Sequence, residues 1–196
     1  MGQKRGKVRD RARKKARSKN RVNFGSYKRS VLDEIRKWHD PVLKKVADLV
    51  EKSEDVSELM KKMYRVLTYS KHGVGLAAPQ LGEVKNVVAV KMDRSSIRFL
   101  INPEITVFSE EKTKNLEGCL SYPGVDAEVE RSLSITVKFE DEDRKVREKE
   151  FTGFNSVVIQ HEVDHLHGLC KVGDKWREDN PEPRKSSTSA KVPKEE

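Results

Sequence analysis

Residues 155–168 read NSVVIQHEVDHLHG, and this stretch decides how the rest of the chain is understood. Its apolar content predicts a helix that begins near Asn155 or Ser156, runs to about Leu166 and ends before Gly168. On a helix, His161 and His165 stand four residues apart and share one face, so their imidazoles can meet a single metal ion. Glu162 lies beside the first histidine, within reach of a water activated at such a site. The bland alternative is a polar helix surface carrying two unrelated histidines. The apolar neighbours Val157, Val158, Ile159 and Val163 argue against it, because they predict a buried helix. Buried histidines beside a buried acid need partners.

Upstream, a second helix is legible. Val56, Leu59, Met60, Met63, Val66 and Leu67 recur at helical spacing. Asp55 and Glu58 suggest a capping box at its start, and Lys71, His72 and Gly73 suit its end. Short strand patterns lie between the helices, at 85–92, 98–102 and 104–108, with a turn expected at Asn102–Pro103. Leu133, Ile135, Val137 and Phe139 alternate as a half-buried strand requires, and 146–151 is placed to pair back on them across the polar turn at 140–145. The expected fold is α+β: a mostly antiparallel sheet packed around a central metal-binding helix, with a second long helix in the N-terminal half.

Charge divides the chain into three parts. The net charge is +9, yet residues 1–29 hold thirteen Lys/Arg against one acid, Asp10; that segment is therefore +12 and the remainder −3. Such an arm repels itself and has little to bury, which predicts disorder over 1–29 and an attraction to RNA or the ribosome. The catalytic domain is expected over 30–176. Residues 177–196 are polar, with five basic and five acidic side chains, and read as a disordered tail. Two cysteines are too few for a secreted disulfide scaffold. No apolar run approaches the roughly 20 residues that cross a bilayer, and no signal segment is visible, so no membrane partner and a cytoplasmic location are expected.

Candidates for a third ligand downstream of His165 are poor: His167 is too near, while Glu178 and Glu182 fall in the tail. Cys119, in Glu117-Gly118-Cys119-Leu120-Ser121, offers a thiolate beside a glycine that permits close approach. Cys170 has no such context and reads as packing. A third segment, Gly73-Val74-Gly75-Leu76-Ala77-Ala78-Pro79-Gln80, combines small residues with an amide able to donate to a developing oxyanion.

Taken together, GVGLAAPQ at 73–80, EGCLS at 117–121 and QHEVDH at 160–165 resemble the three motifs of the peptide deformylase family, in order. The resemblance spans roughly residues 30–172. It implies removal of the formyl group from the N-terminal formylmethionine of nascent polypeptides, with release of formate. It implies one divalent metal ion on Cys119, His161 and His165, with Fe(II) typical and zinc, nickel or cobalt able to substitute. By the same resemblance Glu162 is the general base and then acid, and Gln80 with the Leu120 N–H stabilises the oxyanion. Val74, Val157, Val158 and His161 line a pocket for the methionine side chain, and backbone groups at Gly75 bind the peptide as an added strand. Asp164 is expected to pair with Arg131 and fix the helix against the sheet.

The chain departs from the family in places. Many bacterial relatives carry a basic residue seven places after the metal cysteine, where this chain has Asp126. Tyr122 replaces the more usual aliphatic residue after the serine. Several relatives end in a long basic helix used at the ribosome; here the basic segment lies at the N-terminus instead.

Overall fold

The computed structural model describes residues 24–92 and 96–179. In chain order the elements are α1 (Phe24–Asp33), a 3-10 turn (Pro41–Lys44), α2 (Ser57–Tyr69), β1 (Gly75–Ala77), a second 3-10 turn (Ala78–Leu81), β2 (Val87–Lys91) and β3 (Ile97–Phe108). Then follow β4 (Lys112–Cys119), β5 (Tyr122–Ser132), β6 (Ser134–Glu140), β7 (Val146–Thr152), α3 (Gly153–Leu166) and α4 (Lys171–Asp179). Five strands form one antiparallel sheet in the order β1-β2-β3-β6-β7, and β4 with β5 forms a separate hairpin.

Helix α3 runs through the middle, packed against β1, β2, β5, β6 and β7. Every residue from Ser156 to His165 except Asp164 is buried, which explains why its apolar residues form a run rather than a stripe. One core layer joins α1 and α2 to β1, β2 and β3 through Val31, Met63, Leu67, Leu76 and Ile101. The other joins α3 to the sheet through Val88, Leu100, Val137, Ile159 and Leu166. Gly168 ends α3 with φ +72, and a Cβ there would lie 2.5 Å from the carbonyl oxygen of Lys44, so a glycine is required on both counts.

Several expectations are corrected. The stretches 98–102 and 104–108 are one strand, β3; Asn102 is a bulge with φ 52 rather than a turn, and its side chain bonds both backbone groups of Val50 at 2.9 Å. The capping box at α2 does not form: Val56 caps the helix without a side-chain bond, while Asp55 accepts from the Ser57 N–H at 2.8 Å. The hairpin β4–β5 is absent from the expected strands because β4 carries no sustained apolar alternation. At the ends, α1 takes in residues from Phe24, inside the segment expected to be a disordered arm, and α4 continues through Asp179, inside the expected tail. The remainder of both segments, 1–23 and 180–196, lies outside the described residues. Among the described residues no helix is long and apolar enough to cross a membrane.

Candidate active site

Three segments converge on the buried face of α3 around His161, Glu162 and His165. The tight hairpin end places Cys119 opposite Tyr122, with a register shift between Gly118 and Cys119. The β5 end is fastened to α3 by Gln160, whose Oε1 accepts from the Ser132 N–H at 3.1 Å and whose Nε2 donates to the Ser132 carbonyl at 2.9 Å. The segment after α1 ties the loops together: the Arg36 N–H donates to the Gln80 carbonyl and the Trp38 N–H to the Ser121 carbonyl, while Lys37 Nζ donates to the Leu120 carbonyl.

The result is a cavity of about 790 Å³ whose walls include Val74, Gly75, Gln80, Cys119, Leu120, Val157, Val158, His161 and Glu162. His165 is buried just behind it, 1% exposed, with Nε2 3.2 Å from Cys119 Sγ. The candidate site residues therefore line this cavity or lie just behind it, while the potential ligand atoms within 4.8 Å of one another among the described residues belong to Cys119, His165 and Cys170 and do not include His161.

A buried charge network sets the chemistry of the histidines. His161 Nδ1 lies 2.9 Å from Glu117 Oε2. Burial works to raise the Glu117 pKa, but hydrogen bonds from His161 and Arg131 outweigh it and hold the carboxyl below its ordinary value. In the neutral His161 ring an ionised Glu117 makes Nδ1 the protonated nitrogen, which leaves Nε2 with a free lone pair. Burial works to lower the His161 pKa, but the same hydrogen bond raises it. Arg131, 1% exposed at its side chain, donates to both Glu117 oxygens at 2.8 and 3.0 Å and also pairs with Asp164. The expected Arg131–Asp164 pair is thus present, and Glu117 extends it to the histidine. Reading Glu117 only as a neighbour of Cys119 missed this; its place two residues before the thiol, beside a buried arginine, carried no periodic signal.

Glu162 is buried, and desolvation pushes its pKa up to about 7. Its Oε2 and the Nδ1 of His165 have no hydrogen-bond partner within the described residues. The same closeness explains Gly75: a Cβ there would lie 2.3 Å from Glu162 Oε1. Gly75→Ala is therefore expected to displace the carboxylate and lower kcat by about 10²-fold, the usual cost of a misplacement near 1 Å, while metal content stays unchanged. Steady-state kinetics with metal analysis on the same sample checks it. Gln80 is held from both ends: Oε1 accepts from the Ala77 N–H at 2.9 Å, and Nε2 donates to Ser121 Oγ at 3.2 Å and lies 3.7 Å from Cys119 Sγ.

The donor set suits a divalent cation. The thiol of Cys119, the His161 ring oriented by a carboxylate, the His165 ring beside the thiol and a buried unpartnered carboxylate oxygen of Glu162 suit a mixed S/N metal centre. The Cys119 proton is held tightly by the neighbouring Cys170 sulfur and by burial, so a bound cation would have to replace it. Cys170 packs as expected against the cluster of Cys119, Tyr122 and Val172, and its sulfur, the Cys119 sulfur and a ring nitrogen of His165 also lie within 4.8 Å of one another.

A helix carrying HEVDH, buried in an α+β fold and met by a thiol from a neighbouring hairpin, defines a metal-dependent hydrolase. Comparison narrows the class. Residues 32–176 match the family model described as polypeptide deformylase. A peptide deformylase of Dictyoglomus thermophilum is 44% identical over 140 residues, covering 71% of this chain and 90% of the relative. One from Natranaerobius thermophilus is 41% identical over 141 residues, covering 72% and 90%. Among solved structures, a probable peptide deformylase from Synechococcus phage S-SSM7 superposes with a TM-score of 0.67 at 38% identity, covering 71% of this chain and 97% of that one. The enzyme from Thermotoga maritima gives 0.67 at 36%, covering 71% and 94%. The chain belongs to the peptide deformylase family. Its reaction is metal-dependent removal of the N-formyl group from nascent polypeptides.

Proposed function

We propose that Cys119, His161 and His165 hold one divalent cation, Fe(II) in the native enzyme, and that Glu162 is the general base and acid of formate release. The observation that carries this reading is the Glu162 carboxyl: buried on the cavity wall, with one oxygen unpartnered and a pKa near neutrality. A base of that strength takes a proton from water and returns it to the leaving amine near neutral pH. Zinc, nickel or cobalt suit the same donors, which do not by themselves select one metal. When bound, the cation supplies Lewis-acid polarisation and a lowered pKa for water.

The other roles follow from where this chain's groups lie. Gln80 Nε2 and the Leu120 N–H flank the thiol and donate to the carbonyl oxygen as it gains charge. Val74, Val157 and Val158 give the methionine side chain an apolar wall, with His161 at its floor. Among the described residues β1 pairs only with β2, so Gly75 lies on a sheet edge where a substrate backbone can add as a strand. Water is excluded by the burial of Glu162, which keeps its proton available for the amine.

The deciding measurement is formate release from formyl-Met-Ala-Ser by protein loaded anaerobically with Fe(II). Release is expected, and Cys119→Ser is expected to lose the metal and with it the activity. No release from wild-type protein carrying a full equivalent of metal would reject the reading. The −3 charge of residues 30–196 against +12 on 1–29 supports ribosome contact through the arm, in the cytoplasm. Deleting residues 1–23, which leaves α1 intact, is expected to abolish salt-sensitive co-sedimentation with ribosomes; unchanged co-sedimentation would reject the contact.

A further inference from the structure

The family's chemistry uses one thiol at this site, and this chain places two there. Cys170 is half-buried at the end of the four-residue connection between α3 and α4, directly after Leu169. It packs with Cys119, Tyr122 and Val172 in one small cluster. Its carbonyl accepts from the Asp174 N–H at 2.9 Å, which fixes the backbone and leaves the side chain to turn toward the site. The two sulfurs lie within 4.8 Å of one another, and closing them to a disulfide requires an approach to about 2.05 Å.

We propose that Cys119 and Cys170 are a redox-active pair that closes to a disulfide when the site meets a peroxide in the absence of its metal. This rests on the reading of Cys119 as a metal ligand. The cavity brings the oxidant to Cys119, which forms part of its wall. The Cys119 sulfur attacks one peroxide oxygen; an S–O bond forms, the O–O bond breaks, the thiol proton passes to the other oxygen, and that oxygen leaves as alcohol or water. Cys170 sulfur then attacks the Cys119 sulfenic acid, the S–S bond forms, and water leaves with the remaining proton. Two thiols and one peroxide thus give one disulfide, one water and one alcohol (a second water for hydrogen peroxide). A linked Cys119 has no thiolate to offer a cation, so the enzyme is held metal-free but undamaged. A dithiol reductant reverses it. Without Cys170, the sulfenic acid has no near thiol and advances to the sulfinic acid, which such a reductant does not reverse.

The test treats the full-length protein with hydrogen peroxide, with and without a chelator, then alkylates it and maps its peptides by mass spectrometry. In wild-type protein with chelator, a peptide joining residues 119 and 170 is expected, and dithiothreitol should restore both thiols and full metal uptake. Metal kept on the site should suppress the link. Cys170→Ser, with Cys170→Ala as a second variant and circular dichroism confirming the fold, is expected to form sulfinic acid at Cys119 and to recover no metal uptake on reduction. The proposal is overturned if Cys119 oxidises in wild-type protein without a 119–170 link, or if both variants recover metal uptake as fully as wild type. Failure of the ligand reading is scored separately: it would appear as Cys119→Ser binding a full equivalent of metal, whatever the peptide map shows.

Discussion

Replacing Glu162 with Gln is expected to lower the rate of formate release by about 10²–10⁴-fold, the range lost with a positioned acid–base group, while the bound metal stays in place. In the metal-free protein the same substitution should raise stability at alkaline pH. The sign follows from the direction of the shift. Burial raises the Glu162 pKa from 4.5 to about 7, so the native state favours the protonated form. Below the ordinary value both states are protonated and the group costs nothing. As the pH rises from about 4.5 to about 7, the unfolded chain ionises first, and native stability falls by about 3 kcal/mol. Denaturant titrations of the metal-free proteins should therefore coincide near pH 4 and separate by pH 8, with the Gln variant more stable. Equal stability at pH 8 would show that the carboxylate is solvated, and would remove the physical basis for calling it a poised base.

Arg131→Met is the substitution expected to cost the fold most. The arginine is 1% exposed and neutralises Glu117 and Asp164 together. Truncation leaves Glu117 buried without its partner, a change that costs about 3–5 kcal/mol in comparable buried pairs. For a domain of this size that is a fall in Tm on the order of 10 °C. The damage should also reach the metal. Without the arginine, Glu117 is held less firmly as an anion, so it fixes the His161 tautomer less well, and affinity is expected to drop about 10–100-fold. A double-mutant cycle between Arg131 and Asp164 should show coupling; independence would mean that Asp164, which is partly exposed, is screened by water.

These two results separate what holds the site from what reacts in it. Under the proposed reading Glu162 lowers the stability of the metal-free protein and serves the chemistry. Arg131 lines no part of the cavity, yet it holds the Glu117 carboxylate that faces His161 Nδ1. The difference lies in partners: Glu162 Oε2 has none within the described residues, whereas each Arg131 contact is met by an oxygen.

The helix that carries HEVDH is legible from its residues alone, because the motif's meaning lies in a spacing of four residues and helical geometry is local. So are α2 and β6, for the same reason: periods of 3.6 and 2 are properties of a short window. The family's ordered motifs also bring Gln80, Cys119 and Glu162 together. Tertiary structure alone decided the rest. The β4–β5 hairpin was hidden because much of it faces solvent and its register is set by the turn beside Cys119. The break expected at Asn102 became a bulge because Val50, distant in sequence, supplies partners for its amide. Glu117's hold on His161 and the approach of Cys170 to Cys119 join residues 44 and 51 positions apart. No local pattern encodes such contacts, since they exist only once packing has placed the hairpin and the turn after α3 against the same buried helix.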